Sequence, residues 1–301
     1  MQLNFDTVDT PALPAATVMM LRDTPAGMEV FLVKRHSASD VLGGAYVFPG
    51  GKVDVGDTAP DMARRLDQSP TALHAALNEH DIDAITAAGL YVAALREVYE
   101  ECGVLFAEPA PNETEDSEPQ SQASEASLTH LTGTGASFDT LMDQHGLRLQ
   151  TRKLVPWARW VTPTAPSLMR KRFDTRFFVS LVPSLQTASH DDHETTDSVW
   201  LSPRDALNHY WQDRMALAPP QIMSLAHLAR FTTAGEAMAD ALGRKPALIR
   251  PQPYDMEGTR VICYPGDALH SVKERAVPGP TRLYYRNKRF EPQQGFDALF
   301  D

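Results

Sequence analysis

The stretch Arg96-Glu97-Val98-Tyr99-Glu100-Glu101-Cys102-Gly103-Val104 decides how this chain is read. Glu97, Glu100 and Glu101 stand at i, i+3 and i+4, so a helix gathers three carboxylates on one narrow face. Like charges placed that closely repel and raise each other's pKa. Such a face is either solvated or neutralised by a hard divalent cation, since Mg²⁺ and Mn²⁺ take oxygen ligands. On the other side Val92, Leu95, Val98, Tyr99 and Cys102 recur at helical spacing and predict a buried face. Gly103 suits a C-cap from which the chain turns into a strand.

Upstream lies Phe48-Pro49-Gly50-Gly51-Lys52-Val53-Asp54-Val55-Gly56-Asp57, whose paired glycines predict a loop where backbone comes close to a ligand or metal. Together the two stretches resemble the Nudix box: Gly, five residues, Glu, seven residues, then Arg-Glu-apolar-any-Glu-Glu-any-Gly-apolar. Gly51 opens the pattern, Asp57 stands where the first Glu is usual, and Arg96 to Val104 fits without departure. The middle departs, with about 31 more residues between Asp57 and Arg96 than the pattern has. The resemblance implies an α/β class fold, the Nudix α/β/α sandwich with a mixed central sheet. It implies water attack on a diphosphate linkage, with Mg²⁺ or Mn²⁺ as cofactor held by Glu97, Glu100, Glu101 and the Gly50 carbonyl. Arg96 is then expected to orient a neighbouring carboxylate of the box. The general base is left open between Glu97 and Glu194, the latter preceding an apolar strand and a Ser-Pro helix start as in many relatives.

Residues 15 to 35 read as a hairpin: Ala15 to Leu21, a turn over Asp23 to Gly27, and a return strand Glu29 to Val33. From here a second resemblance runs forward, to the signature of coenzyme A-cleaving Nudix enzymes. Phe31, Leu32, Arg35, Gly44 and Phe48-Pro49-Gly50-Gly51 keep its spacing, while Val33, His36 and Asp40 replace its Thr, Ser/Ala and second Arg. It implies a substrate-binding role for Arg35 and Gly51; an exposed strand-end charge is the other reading of Arg35. Thr58 to Leu90 predicts an ordered helical insertion, with Ser69-Pro70 as helix-start chemistry. An insertion there resembles the branch that includes the animal peroxisomal coenzyme A diphosphatases, and its expected place is beside the site, shaping the pocket.

Ala107 to Ala136 is rich in Glu, Ser, Pro, Gln and Thr and poor in large apolar side chains, which predicts a disordered loop. Phe138 to His145 reads as a short helix ended by Gly146. Leu154 to Pro163 and Arg170 to Leu181 read as strands, the second half-buried through Phe177, Val179 and Leu181. Arg170, Lys171, Arg172 and Arg176 form a basic cluster there. It is either an ordinary charged rim or, through Arg172 and Arg176, a grip on substrate phosphates, which forked guanidinium donors suit. His190 and His193 lack a third partner at zinc spacing. Pro219-Pro220-Gln221 starts a helix whose Ile222, Leu225, Ala226, Leu228 and Ala229 face inward. Beyond Lys245 the chain turns Pro- and Gly-rich, an irregular extension over 246 to 301 following a Nudix domain over 13 to 245, with short strands at 261 to 264 and 282 to 285.

Composition narrows the classes. The 301 residues hold 28 Lys and Arg against 39 Asp and Glu, a net charge of −11, which argues against binding nucleic acid or an anionic membrane. No run approaches the roughly 20 apolar residues of a membrane span, and no secretory leader is expected. Two cysteines make no disulfide framework, which fits a cytoplasmic protein. The expected partner is a small nucleoside-diphosphate substrate: coenzyme A or an acyl-coenzyme A, giving phosphopantetheine and adenosine 3′,5′-bisphosphate. ADP-ribose, NADH or a nucleotide-sugar is the alternative, and a non-catalytic Nudix-fold sensor a third. A homodimer fits the resemblance, since many relatives dimerise.

Overall fold

The computed structural model describes residues 3–4, 6–39, 41–110, 137–168, 171–191 and 194–301. The predicted hairpin forms as β1 (Leu13–Thr24) and β2 (Gly27–Arg35), antiparallel in register Leu21 to Val30. The chain then adds β3 (Tyr46–Val47) and β4 (Gly50–Lys52), and β4 folds back antiparallel on β1. Strands β5 (Ala107–Pro109) and β6 (Leu147–Leu149) pair with each other. Strands β7 (Val155–Val161), β8 (Phe173–Leu181), β9 (Thr195–Leu201) and β10 (Ala247–Ile249) complete an eight-stranded mixed sheet. At its centre β1 and β8 run parallel over nine residue pairs, flanked by antiparallel β7 and β2.

Helices α1 (Pro60–Ala63), α2 (Pro70–Leu77), α3 (Ala84–Cys102) and α4 (Phe138–His145) are associated with one core. Helices α5 (Pro203–Trp211), α6 (Pro219–Leu228) and α7 (Ala234–Gly243) are associated with the other. One core holds Val18, Met20, Phe31, Val33 and Phe178 with α3; the other holds Met19, Leu21, Leu32, Phe177 and Val179 with α6. Alternation along β1 and β8 divides them, as a sheet buried on both faces requires. This corrects the expected half-buried strand: Phe177, Phe178, Val179 and Ser180 are all buried, and Leu181 is exposed.

The insertion is helical as the sequence predicts. Ser69 caps α2 by accepting from the Ala72 N–H, and Asp83 caps α3 by accepting from Thr86 at 2.7 Å. Its helix α2 packs against α3, which explains why Ala87 to Leu95 is buried all round rather than on one stripe. Of the loop expected over 107 to 136, Ala107–Pro109 is strand instead, and 111 to 136 lies outside the described residues, as do Asp40, Arg170 and His193.

The stretch beyond 245 is more regular than expected. After β10 it forms a four-stranded antiparallel sheet of β11 (Gln252–Met256), β12 (Thr259–Cys263), β13 (Arg282–Arg286) and β14 (Arg289–Glu291). Ile262, Tyr264, Leu283 and Phe290 enter the same core as α6, so this segment and the main sheet share apolar packing. Among the described residues no helix is long and apolar enough to cross a membrane.

His227 of α6 is buried, with its ring 4.5 Å from that of Trp157 and Arg244 nearby. Burial, helped by Arg244, lowers its pKa from 6.5 to about 4. Folding therefore keeps it neutral while the unfolded chain takes up a proton. Its contribution is fully present above pH 6.5 and is lost as pH falls to 4, a loss of roughly 3 kcal/mol from the pKa gap. Urea unfolding from pH 7 to 4 is expected to show a flatter stability profile for His227→Phe than for the wild type.

Candidate active site

The box residues come together because Arg96 closes the insertion at its base. Its Nε and Nη2 donate to the two oxygens of Asp57, each at 2.9 Å, and Nη2 also reaches the Lys52 carbonyl at 3.0 Å. Nη1 donates to Glu97 at 3.0 Å and Glu100 at 2.8 Å. Buried Asp57 is further fixed by the Asp54 N–H at 2.7 Å. Arg96 thus orients carboxylates of the box, as the resemblance implies, and Asp57 serves where Glu is usual.

The glycine pair is required by close approach. Thr17 of β1 donates its hydroxyl to the Pro49 carbonyl at 2.7 Å, drawing the turn onto the sheet. Gly50, at φ +152°, has space for no side chain: a Cβ there lies 2.3 Å from the Ala16 carbonyl oxygen. A Cβ on Gly51 lies 2.2 Å from a carboxylate oxygen of Glu97. The Gly50 N–H donates to Glu101 Oε2 at 3.0 Å.

A register shift between Lys34 and Arg35, where β2 pairs with β9, re-aims Arg35 into this group. Its guanidinium lies 3.8 Å from Glu101 and 3.8 Å from Glu194. Burial raises the pKa of Glu97 from 4.5 to about 7 against the pull of Arg96. Burial likewise raises Glu101 to about 8, with Glu97 adding repulsion and the Gly50 N–H opposing it.

The chemistry of the donors fits a hard divalent cation. Glu101 Oε1 is buried and accepts no hydrogen bond among the described residues, so an oxygen is left for another electrophile. The fit is partial in arrangement: among the described residues no three His, Cys, Asp or Glu side chains form a ready metal cluster. Glu97 and Glu100 are both engaged by Arg96, and Glu101 lies behind Gly50. Glu97 and Glu101, with Glu100 released from Arg96, are the side chains that would hold such an ion.

These residues open onto a cleft of about 700 Å³. Arg35, Gly50, Gly51, Arg96, Glu97, Glu100 and Glu194 line it. Three sequence candidates are absent from that lining: Glu101, which lies behind Gly50, and Arg172 and Arg176, whose substrate-binding reading is corrected. Arg176 is buried on the opposite face of β8, where it meets Glu79 and the Asp174 carbonyl. Arg172 donates to the Thr162 and Thr10 carbonyls at 3.1 and 2.9 Å. Strand alternation is the reason: Phe173, Thr175 and Phe177 take the cleft face instead. The other lining cations are Lys52 and Lys171. No residue from 58 to 90 lines the cleft either, so the insertion does not shape it; Glu79 and Asp81 instead bind Arg176 and Arg159. Sequence reasoning assigned no site role to Trp160, Gln221, Pro251, Pro253 and Ile262, which also line the cleft.

Gly51→Ala is expected to displace Glu97 and cut catalysis by at least about tenfold with a small change in Tm, since a flexible side chain gives way. Gly50→Ala meets backbone and is expected to cost roughly 2–4 kcal/mol in denaturant unfolding.

Residues 9–228 match the family model described as the NUDT19 Nudix domain. The acyl-coenzyme A diphosphatase NUDT19 of Xenopus laevis is 25% identical over 233 residues, 69% of this chain and 61% of that protein. The human protein of that name is 26% identical over 256 residues, 74% of this chain and 66% of its own length. The match thus spans less than two thirds of these relatives. A Nudix hydrolase structure from Alicyclobacillus acidocaldarius is 27% identical, with a TM-score of 0.58, covering 77% of this chain and 97% of the other. The chain belongs to the Nudix family, in the branch described by the NUDT19 Nudix domain.

Proposed function

We propose that this protein hydrolyses the diphosphate linkage of coenzyme A or an acyl-coenzyme A, releasing phosphopantetheine and adenosine 3′,5′-bisphosphate. The observation that carries the reading is one cleft joining the carboxylate group at Glu97 and Glu100 to an extended apolar region. A diphosphate with a charged centre and a long, weakly polar arm suits that shape. The frog and human relatives, both acyl-coenzyme A diphosphatases by name, support the same substrate class. Arg35 anchors the polar end between Glu101 and Glu194, and Lys52 and Lys171 take the phosphate-facing role first sought in Arg172 and Arg176.

A bound Mg²⁺ or Mn²⁺ would polarise the phosphate oxygens and lower the pKa of water. The chain's own part is to hold the reacting groups: Arg96 fixes Glu97, and the glycine turn admits a phosphate without steric obstruction. Glu97 and Glu194 both line the cleft and both remain candidates to accept the proton from attacking water.

Product analysis with coenzyme A, acetyl-coenzyme A, ADP-ribose and NADH tests the reading. Adenosine 3′,5′-bisphosphate is expected, and Glu101→Gln is expected to lower its formation by at least about 100-fold. AMP from ADP-ribose or NADH alone would replace the substrate assignment; no turnover of any would favour a sensor. Cation binding requires charged Glu97 and Glu101, whose pKa values lie near 7 and 8. Titration calorimetry is therefore expected to show tighter Mn²⁺ binding at pH 8.5 than at pH 6, with protons released on binding.

A further inference from the structure

Strand register lays a row of side chains across the floor of the cleft. Lys52 of β4 pairs with Ala15 of β1, Ala15 with Thr175 of β8, and Thr175 with Trp160 of β7. Residues paired directly across a sheet point to the same face, and all four line the cleft. With strands about 4.8 Å apart, the backbones of Lys52 and Thr175 lie about 10 Å from one another. Between them stands Ala15, whose methyl group is too short to screen one from the other.

The polar groups of this row are unpaired and accessible. Lys52 is exposed, and its ammonium has no ion-pair or hydrogen-bond partner among the described residues. The Thr175 hydroxyl has none among them either, and it is open to solvent. Two other cations of the cleft differ: Arg35 stands between Glu101 and Glu194, and Arg96 is held by Asp57, Glu97 and Glu100. Lys52 thus carries a positive charge that no described carboxylate takes up, one residue beyond Gly51.

Both groups donate. A phosphate monoester suits them, since at neutral pH it carries close to two negative charges and three acceptor oxygens. One oxygen takes the ammonium, which imposes no orientation, and another takes the hydroxyl. The diphosphate belongs at Glu97 and Glu100 beside Gly51, and the row leads from there across the sheet. We propose that Lys52 and Thr175 form a subsite for a phosphate monoester that the substrate carries beside its diphosphate. The inference rests on the coenzyme A reading, in which that group is the 3′-phosphate of the adenosine half; ADP-ribose and NADH lack it. Donors left unpaired by a substrate without the group disfavour that substrate.

The test compares coenzyme A with dephospho-coenzyme A, which differs only in that phosphate, on the full chain with Mn²⁺. Wild type is expected to prefer coenzyme A by at least about thirtyfold in kcat/KM, with the difference in KM rather than kcat. Thr175→Val keeps the β-branched shape and removes the hydroxyl; Lys52→Met removes the charge. Each is expected to cut the preference by roughly fivefold or more. Equal use of the two substrates by wild type, or a preference that both variants retain, overturns the subsite. A loss that falls equally on both substrates overturns it too, placing these groups at the diphosphate. In metal-free titration calorimetry, adenosine 3′,5′-bisphosphate is expected to bind wild type about tenfold more tightly than AMP, an advantage that Thr175→Val reduces. Equal binding of the two nucleotides by wild type also overturns the subsite. If wild type turns over neither form of coenzyme A, the functional reading falls by itself, and this titration still decides the subsite.

Discussion

The structure depends on one guanidinium. Arg96, nearly buried, binds both oxygens of Asp57, the Lys52 carbonyl and two carboxylates of its own helix. Asp57 precedes the insertion and Arg96 follows it, so this pair fixes where the helical segment leaves and rejoins the box. Buried ion pairs add little net stability, because desolvation cancels most of the attraction. Removing one partner is another matter: a lone buried charge costs about 3–5 kcal/mol. Arg96 thus secures registry, holding the glycine turn, the carboxylate helix and the insertion in one arrangement.

From that registry the sheet separates two kinds of polar work. On one face Arg159 and Arg176 are tied to Glu79, Asp81 and Asp174, a network that fastens the insertion to β7 and β8. On the other, Thr17 and Thr175 share a cleft wall with Phe173 and Phe177. The charges that look alike in sequence therefore do different things. Strand parity assigns Arg176 to the structural face, and the backbone carbonyls at Thr10 and Thr162 take up Arg172.

Much of the site was legible because local rules govern it. Helical spacing gathered the carboxylates, Gly103 ended α3 in the left-handed region, and Ser69, Asp83 and Ser137 capped their helices. What was not legible depends on partners distant in sequence. No local pattern distinguishes Lys171, which reaches the cleft, from Arg172, which does not; a single residue of parity decides. The stretch beyond 245 read as irregular because its strands are short and one face of its sheet is buried only against the α6 core, its own cluster being just Val261, Cys263, Tyr284 and Tyr254. Leu181 was misread for a similar reason, since alternation implies one buried face and β8 lies between two cores.

The shared packing of the last sheet has a consequence for the order of biosynthesis. The carboxylate helix, the glycine turn and β1 are complete in the nascent chain soon after residue 105 is made. Strand β8 follows some seventy residues later. Pro251, Pro253 and Ile262 are among the last residues to join the cleft wall. During translation the chain therefore carries a charged reaction centre before it carries an enclosed recess beside it. The recess beside the carboxylates is thus complete only once the segment through Ile262 has been made.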